Sequence, residues 1–142
     1  MLPNFTKEEI LGLDLKLQDT TVVITGGAAG IGNQTAEFFL QQGANVILAD
    51  LNPEVDAIAK QMGGDKAIGV AGNVCDAAYR QTVIEKGVEA FGQINALVNC
   101  AGIVALESAE ILSEDYWNRT MNINLSASFF MAQAVGKYMI DN

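Results

Sequence analysis

Residues 21–32 read TVVITGGAAGIG, and this stretch decides the fold. A short run of β-branched and apolar residues stops at a glycine-rich turn, and apolar residues at helical spacing then continue to Leu40. Gly43 is typical of the residue that follows a helix, and residues 45–49 form a second apolar run that ends at Asp50. The sequence therefore predicts a complete unit of strand, helix and strand.

The same alternation continues along the chain. Asn52-Pro53-Glu54 has the residue types of a helix start and predicts a helix that runs to about Met62. The remaining predicted elements are a strand over 67–70, a helix over 76–91, a strand over 96–98 and a helix over 113–140. Short apolar strands that alternate with helices require a parallel sheet covered on both faces. We predict an α/β fold with a doubly wound parallel sheet of the Rossmann type, incomplete, with about four strands and flanking helices.

The first 18 residues are the least regular part of the sequence. We expect a short helix around Lys7 to Leu11 and then a lead-in strand, and we assign residues 1–18 to an N-terminal lead-in. No low-complexity linker divides the rest, so residues 19–142 are predicted to form one domain.

Charge and hydropathy exclude several classes of function. The net charge is −9 and the eight Lys and Arg residues are scattered, so we expect binding neither to nucleic acid nor to an anionic membrane surface. Residues 1–10 lack the apolar region of a secretion signal, and no apolar run approaches the roughly 18 residues needed to span a bilayer. A cytoplasmic protein is the expectation.

The chain contains no histidine, and its only cysteines are Cys75 and Cys100. This composition removes most zinc sites and every nucleophile that depends on a histidine base. We therefore expect no metal site and read both cysteines as small, buried, reduced side chains.

Three glycines lie between the first strand and the first helix, where the helix N-terminus presents unpaired N–H groups. Such a terminus binds a pyrophosphate. Gly26 would permit the sharp turn, Gly30 would let the backbone approach the phosphates, and Gly32 would let the helix pack on the strand. We include Ile31 in the same predicted site. The alternative is a glycine-rich turn with no ligand.

Asp50 closes the second strand, 24 residues after Gly26. This is close to the spacing at which an acid accepts hydrogen bonds from the adenosine ribose hydroxyls of NAD. Its carboxylate would also repel the 2′-phosphate of NADP, so NAD is the expected cofactor. Leu51, the next residue, is included in the predicted site. The alternative is that Asp50 only starts a turn.

At this point the residues resemble a known family, the short-chain dehydrogenases/reductases. The spacing Gly26-x-x-x-Gly30-x-Gly32 is similar to the family's glycine pattern. Asn99-Cys100-Ala101-Gly102 resembles its Asn-Asn-Ala-Gly motif, with Cys in place of the second Asn. In the family this segment supports the central sheet and lies against the cofactor ribose. Asn73-Val74 resembles the Asp-Val pair that borders the adenine, with Asn in place of Asp. The resemblance therefore adds Asn73, Val74, Asn99, Ala101 and Gly102 to the expected cofactor site.

A further match lies in the last predicted helix. Asn122-Ile123-Asn124-Leu125 resembles the family's Asn-Leu stretch, and the resemblance makes Asn124 the asparagine of the catalytic tetrad. In the family this residue distorts the helix, and an exposed carbonyl then holds a water that connects the catalytic lysine to solvent. The family's serine and its Tyr-x-x-x-Lys pair normally follow this helix. No lysine lies four residues after Tyr79, Tyr116 or Tyr138, so the resemblance implies a domain truncated before the catalytic segment.

The resemblance implies hydride transfer between NAD and a secondary alcohol or ketone, and the run of sequence is most similar to polyol and sugar-alcohol dehydrogenases. We expect the 142-residue chain alone to be inactive. Two alternatives stay open at this point. One is a Rossmann module that binds NAD without turnover, and the other is a methyltransferase, which also places a glycine-rich turn after the first strand and an acid after the second.

The last predicted helix has two apolar stripes. One runs at four-residue spacing from Trp117 to Phe129, and the other runs from Ile123 to Ala134. A helix that is apolar on two faces must be covered on both, so we expect the sheet on one side and a partner subunit on the other. The sequence thus favours a homo-oligomer.

Overall fold

Four parallel strands form the centre of the computed structural model, which describes residues 6, 12, 15–104 and 106–142. The strands are β1 (Thr21–Thr25), β2 (Asn45–Asp50), β3 (Ala67–Ala71) and β4 (Ala96–Asn99). The helices are α1 (Gly30–Gln41), α2 (Val55–Gly63), α3 (Ala77–Phe91), α4 (Glu114–Met121) and α5 (Ser128–Asp141), with a 3₁₀ turn at Gly64–Lys66 and a π-helical turn at Asn122–Ala127 between α4 and α5. Among the described residues no helix has both the length and the apolar character needed to cross a membrane.

The strand order is β3-β2-β1-β4, and every pairing is parallel. The chain builds outward from β1 to β3 and then returns to place β4 on the other side of β1. This reversal creates a crevice at the carboxyl ends of β1 and β4, which is where open α/β sheets bind their ligands. The predicted doubly wound parallel sheet is confirmed.

Both faces of the sheet are covered, as the uninterrupted apolar strands require. Side chains alternate between the faces along each strand. Val23 and Ile47 pack with residues of α3 and α5, whereas Val22, Ile24 and Leu48 pack with residues of α1 and α2. The strands are therefore held between two helical layers, and their carboxyl ends are fixed relative to one another.

Most predicted boundaries agree with the structure. Asp76 caps α3 by accepting from the Ala78 N–H at 2.9 Å, and Gly92 ends it with a φ of +78°. The helix predicted from Asn52 begins instead at Val55, because the Asn52 side chain accepts from the Glu54 N–H and closes a turn before the helix. The lead-in strand is absent among the described residues before Thr21, and the helix proposed around Lys7 to Leu11 lies outside the described residues.

The predicted helix over 113–140 is present but not continuous. Ser113 caps α4 by accepting from the Tyr116 N–H, as its position suggests, and the π-helical turn then interrupts the α-helical spacing. A π-helical turn adds one residue to the turn, so a four-residue stripe does not stay on one face across it. The buried residues of α5 are Met131 and Val135, which belong to neither predicted stripe, and Ala134 of the second stripe packs against the same core.

Candidate cofactor-binding site

A cleft opens at the carboxyl end of the sheet. It lies between the loops that follow the strands and the start of the long helix, which α4, the π-helical turn and α5 form together. It brings together most of the predicted cofactor residues from four separate segments. Its lining consists of Gly26, Ala49, Asp50, Leu51, Gly72, Asn73, Val74, Ala101, Gly102, Ile103, Arg119 and Ile123.

The glycine turn forms the floor between β1 and α1. Gly26 has a φ of +66°, and a Cβ there would lie 2.8 Å from the Ala101 nitrogen, so this turn packs directly on the segment after β4. Gly32 is buried, and a Cβ there would overlap the carbonyl oxygen of Gly26. The roles expected for these two glycines, a sharp turn and close packing of helix on strand, match this geometry.

The N-terminus of α1 is open in a way that suits an anion. Ala29 occupies the capping position without a side-chain hydrogen bond, and the first turn contains no acidic residue. Gly30 has a φ of +55°, and no atom lies within 4 Å of the position of a Cβ. Gly30 and Ile31 do not line the cleft itself but a separate shallow depression, and Ile31 is 80% exposed. Free N–H groups, the positive end of the helix dipole and an uncovered glycine together fit a pyrophosphate.

Asp50 is fixed at the mouth of the cleft by two backbone donors. Its Oδ2 accepts from the Ala28 N–H at 3.0 Å, and its Oδ1 accepts from the Asn52 N–H at 2.9 Å. The carboxylate therefore joins the end of β2 to the glycine turn, and each oxygen keeps a lone pair for another donor. The alternative that Asp50 only starts a turn accounts for the bond to Asn52 but not for the bond to Ala28.

The segment after β3 lies beside Asp50. The Gly72 N–H donates to the Asp50 carbonyl at 2.8 Å, which places Asn73 and Val74 in the wall of the cleft. The Asn73 Oδ1 accepts from the Cys75 N–H at 3.0 Å, so the amide oxygen expected to face an adenine already has one partner. Leu51 completes this end and is 71% exposed.

Asn99 is not among the residues that line the cleft. Its Nδ2 donates to the Ser128 carbonyl at 3.2 Å, and its Oδ1 accepts from the Thr25 hydroxyl at 3.4 Å, so it ties β4 to β1 and α5 rather than lining the cleft. The residues after it, Ala101 and Gly102, do line the cleft.

Sequence reasoning assigned no role to Thr25. The Thr25 hydroxyl, almost completely buried, accepts from the Cys100 N–H at 3.1 Å and from the Ala101 N–H at 3.2 Å. It therefore sets the course of the chain as β4 leaves the sheet. Its position directly before Gly26 is the only local signal, and its partners lie more than 70 residues away.

Asn124 lies within the π-helical turn, at the predicted distortion of the helix. Its Oδ1 accepts from the Ile103 N–H at 2.9 Å, and its Nδ2 donates to the Ile103 carbonyl at 2.8 Å. This double contact holds the segment after β4 against the helix. In this structure the side chain acts on backbone position, and no titratable group among the described residues takes part in its hydrogen bonds.

Tyr79 is the buried tyrosine beneath the cleft. Its hydroxyl donates to the Val70 carbonyl at 2.6 Å, and its ring fills the space beside Gly72. Burial, reinforced by the negative charge of Asp50, raises the pKa of Tyr79 well above its usual range. The phenol therefore stays protonated at neutral pH and supports the loop rather than serving as a base.

Five residues that line the cleft were not predicted as cofactor residues: Ala49, Gly72, Ile103, Arg119 and Ile123. Ala49 directly precedes Asp50 in β2. Gly72 and Ile103 adjoin recognised motifs, and Ile123 lies inside one. Arg119 carried no signal in the sequence, because an arginine on an amphipathic helix usually faces solvent.

The fold and the cleft define a Rossmann-type α/β domain with a ligand crevice at its topological switch point. Comparison with known proteins is more specific. Residues 20–142 match the family model described as short chain dehydrogenase, and the chain belongs to this family. The family match argues against the methyltransferase alternative.

Relatives and a solved structure agree with this assignment. The chain is 41% identical over 138 residues to a D-threitol dehydrogenase from Mycolicibacterium smegmatis, covering 95% of this chain and 53% of the relative. It is 36% identical over 127 residues to an NAD-dependent glycerol dehydrogenase from Listeria innocua, covering 89% and 50%. A crystal structure from Brucella melitensis, described as a short-chain dehydrogenase/reductase of the glucose/ribitol dehydrogenase type, superposes with a TM-score of 0.83 at 30% identity and covers 89% of this chain and 55% of that one.

These comparisons confirm the predicted family and its similarity to polyol dehydrogenases. The chain spans about half the length of the curated relatives it matches. Members of the family are oxidoreductases that typically use a nicotinamide cofactor, and one of these relatives is named for NAD.

Proposed function

We propose that this protein is the NAD-binding part of a short-chain oxidoreductase that interconverts a secondary alcohol, of the polyol class, and the corresponding ketone. The observation that carries the proposal is the position of Asp50. Its carboxylate is fixed by the Ala28 and Asn52 N–H groups beside the open N-terminus of α1. A fixed carboxylate next to a phosphate-binding helix terminus suits the adenosine ribose and the pyrophosphate of a dinucleotide.

In this proposal NAD supplies the nicotinamide ring that accepts or donates the hydride. The N–H groups of residues 30–32 hold the pyrophosphate at the positive end of α1. Asp50 accepts from the ribose diol and disfavours a 2′-phosphate. Leu51, Asn73 and Val74 border the adenine, and Ala101 with Gly102 lies along the opposite ribose.

Asn124 serves as a positioning residue in the same proposal. Its two hydrogen bonds to Ile103 fix the segment that carries Ala101 and Gly102, so it keeps the wall of the cleft at a set distance from the helix. The family role expected from the sequence, a carbonyl exposed by a distorted helix, is compatible with the π-helical turn at this residue.

The assignment of a polyol substrate rests on the relatives, which are named for D-threitol and glycerol. No residue pair with the Tyr-x-x-x-Lys spacing occurs in the 142 residues, so the proton transfer of the reaction has no assigned group within them.

Calorimetric titration of the protein with NAD, NADP and S-adenosylmethionine tests the cofactor assignment. We expect saturable binding of NAD, weaker binding of NADP and none of S-adenosylmethionine. Failure to bind NAD at millimolar concentration, by protein shown to be folded by circular dichroism, would reject the proposal.

A further inference from the structure

Arg119 is a charged residue in the cleft that neither the sequence motifs nor the proposed function uses. It lies on α4, is exposed, and lines the same cleft as Asp50, Leu51 and Val74. Among the lining residues Asp50 is the anion and Arg119 is the cation. The cleft thus has a cation that the proposed function leaves unused.

No interaction within the described part of the chain accounts for this side chain. Three other cations have partners: Lys60 pairs with Asp56, Lys66 donates to a carbonyl, and Arg80 donates to the Val74 carbonyl. Lys86 and Lys137 have no hydrogen bond or ion pair among the described residues, but neither lines the cleft. The described residues offer the Arg119 guanidinium neither a hydrogen bond nor an ion pair. The guanidinium is therefore available to a ligand.

A helix-dipole role does not explain it either. A basic residue in the last turn of a helix normally stabilises the exposed carbonyls there. The chain runs from α4 into the π-helical turn and α5 without leaving the helical path, and the Asn122 N–H already donates to the Arg119 carbonyl. Arg119 therefore has no free helix terminus to stabilise.

The surroundings of Arg119 suit a flat aromatic group. Leu51, Val74 and Ile123 give the cleft apolar walls, and Asn73 adds a polar edge. A guanidinium is planar and weakly hydrated, so it stacks on aromatic faces. Leu51 is exposed and Arg119 has no partner among the described residues, so a purine ring bound in the cleft can contact both side chains.

We propose that Arg119 contacts the cofactor directly and that its guanidinium covers the adenine ring, with Leu51 and Ile123 forming the apolar sides of the slot. The inference rests on the proposed function, since it takes the bound group to be NAD. The inference goes beyond the proposed function because it assigns to the adenine a contact residue, Arg119, that lies on the long helix and outside the recognised motifs. The adenine, not the phosphates, is its partner.

Binding of cofactor fragments tests this assignment. Wild-type protein and the variants Arg119→Ala and Arg119→Lys would be titrated with NAD, AMP, adenosine and nicotinamide mononucleotide by NMR shift mapping and calorimetry. Lys137→Ala is the matched control, because Lys137 is an exposed cation on α5 that does not line the cleft. Circular dichroism of each variant checks that the fold is kept.

We expect Arg119→Ala to weaken NAD, AMP and adenosine to a similar extent, about threefold to thirtyfold, and to leave nicotinamide mononucleotide unchanged. Arg119→Lys should recover only part of the loss, because an ammonium keeps the charge and loses the planar face. Lys137→Ala should match the wild type.

Two results would overturn the assignment while the proposed function stands. One is unchanged binding of all four compounds by Arg119→Ala, which would make Arg119 a solvated surface residue. The other is a loss confined to compounds with a phosphate, with adenosine unaffected, which would make the phosphates its partner. Wild-type protein that binds neither NAD nor AMP would instead reject the proposed function and this assignment together.

Discussion

At the scale of single residues, Asp50 connects structure and proposed function most directly. Its carboxylate accepts from the Ala28 N–H in the glycine turn and from the Asn52 N–H after β2. It therefore links the end of β2 to the glycine turn. Two N–H donors hold the charge in one orientation, which lowers the entropy that a ligand must remove when it binds. The sequence predicted the residue from its spacing, but not the bond to Ala28, because that bond joins segments brought together only by the parallel pairing of β1 and β2.

The substitution Asp50→Asn should weaken NAD and reduce the preference for NAD over NADP. Loss of a hydrogen bond between a charged group and the ribose diol costs about 1.5–3 kcal/mol, which is on the order of tenfold to a hundredfold in affinity. Calorimetric titration measures the affinity for each cofactor. The control is Asp65→Asn, because Asp65 is an exposed acid outside the cleft. Equal or tighter binding of NADP by the wild type would remove Asp50 from the ribose role.

Thr25 shows the limit of sequence reasoning at this scale. Its hydroxyl accepts two N–H groups from the end of β4, and that contact exists because β4 returns to pair with β1. A residue pattern read along the chain does not show which N–H groups this return brings to the Thr25 hydroxyl, so the threonine looked like any strand residue.

At the scale of elements, the strands and most helices could be predicted because local patterns determine them. Apolar runs, glycine stops and the caps at Asp76 and Ser113 all lie within a few residues of the feature they control. The π-helical turn had no such local signal in the residues themselves, and only the family resemblance pointed to a distortion there. Asn124 in this turn contacts Ile103 in the segment after β4, and Asn99 of β4 donates to the carbonyl of Ser128, the first residue of α5.

The β1–α1 junction gives a prediction about elements, because Gly32 is needed for packing rather than for flexibility. The substitution Gly32→Ala should lower the free energy of unfolding by about 1–3 kcal/mol, since its methyl group would overlap the Gly26 carbonyl. Gly136→Ala is the matched control within a helix, with open space at its Cβ, and should raise stability by about 0.5–1 kcal/mol. Urea unfolding measures both, and a Gly32→Ala variant as stable as the wild type would contradict the described junction.

At the scale of the whole molecule, the cleft exists because parallel strands deliver four distant segments to one edge of the sheet. The described chain also leaves several large apolar side chains exposed to solvent. Leu125 and Phe129 are 59% and 60% exposed on the long helix, and Trp117 is exposed on the same helix. Only the face that carries Met131 and Val135 enters the core.

This exposed apolar surface should cause self-association, as the sequence suggested, at concentrations on the order of tens of micromolar. The substitution Leu125→Lys should shift the protein toward a monomer, because it places a charge within the apolar surface. Light scattering measures the mass, and Leu106→Lys, an exposed leucine away from the helix, is the control. A wild type that stays monomeric throughout this range would contradict the prediction.

Residues 1–142 alone should show no measurable turnover, even if they bind NAD. They contain no Tyr-x-x-x-Lys pair, and general acid and base catalysis is typically worth about 10²–10⁴-fold, with a further loss when substrate positioning is absent. The assay is NADH formation with D-threitol, glycerol and related polyols, with the full-length D-threitol dehydrogenase relative as positive control. Turnover at a rate comparable to that control would reveal an acid or base within these residues that the proposal does not include.

A crystal structure of the protein grown with NAD tests the central claim most directly. The proposal predicts the dinucleotide in the cleft, with the adenosine ribose hydroxyls within hydrogen-bond distance of the Asp50 carboxylate and the pyrophosphate on the N–H groups of residues 30–32. A dinucleotide bound elsewhere, or bound in the cleft with its ribose away from Asp50, would contradict it.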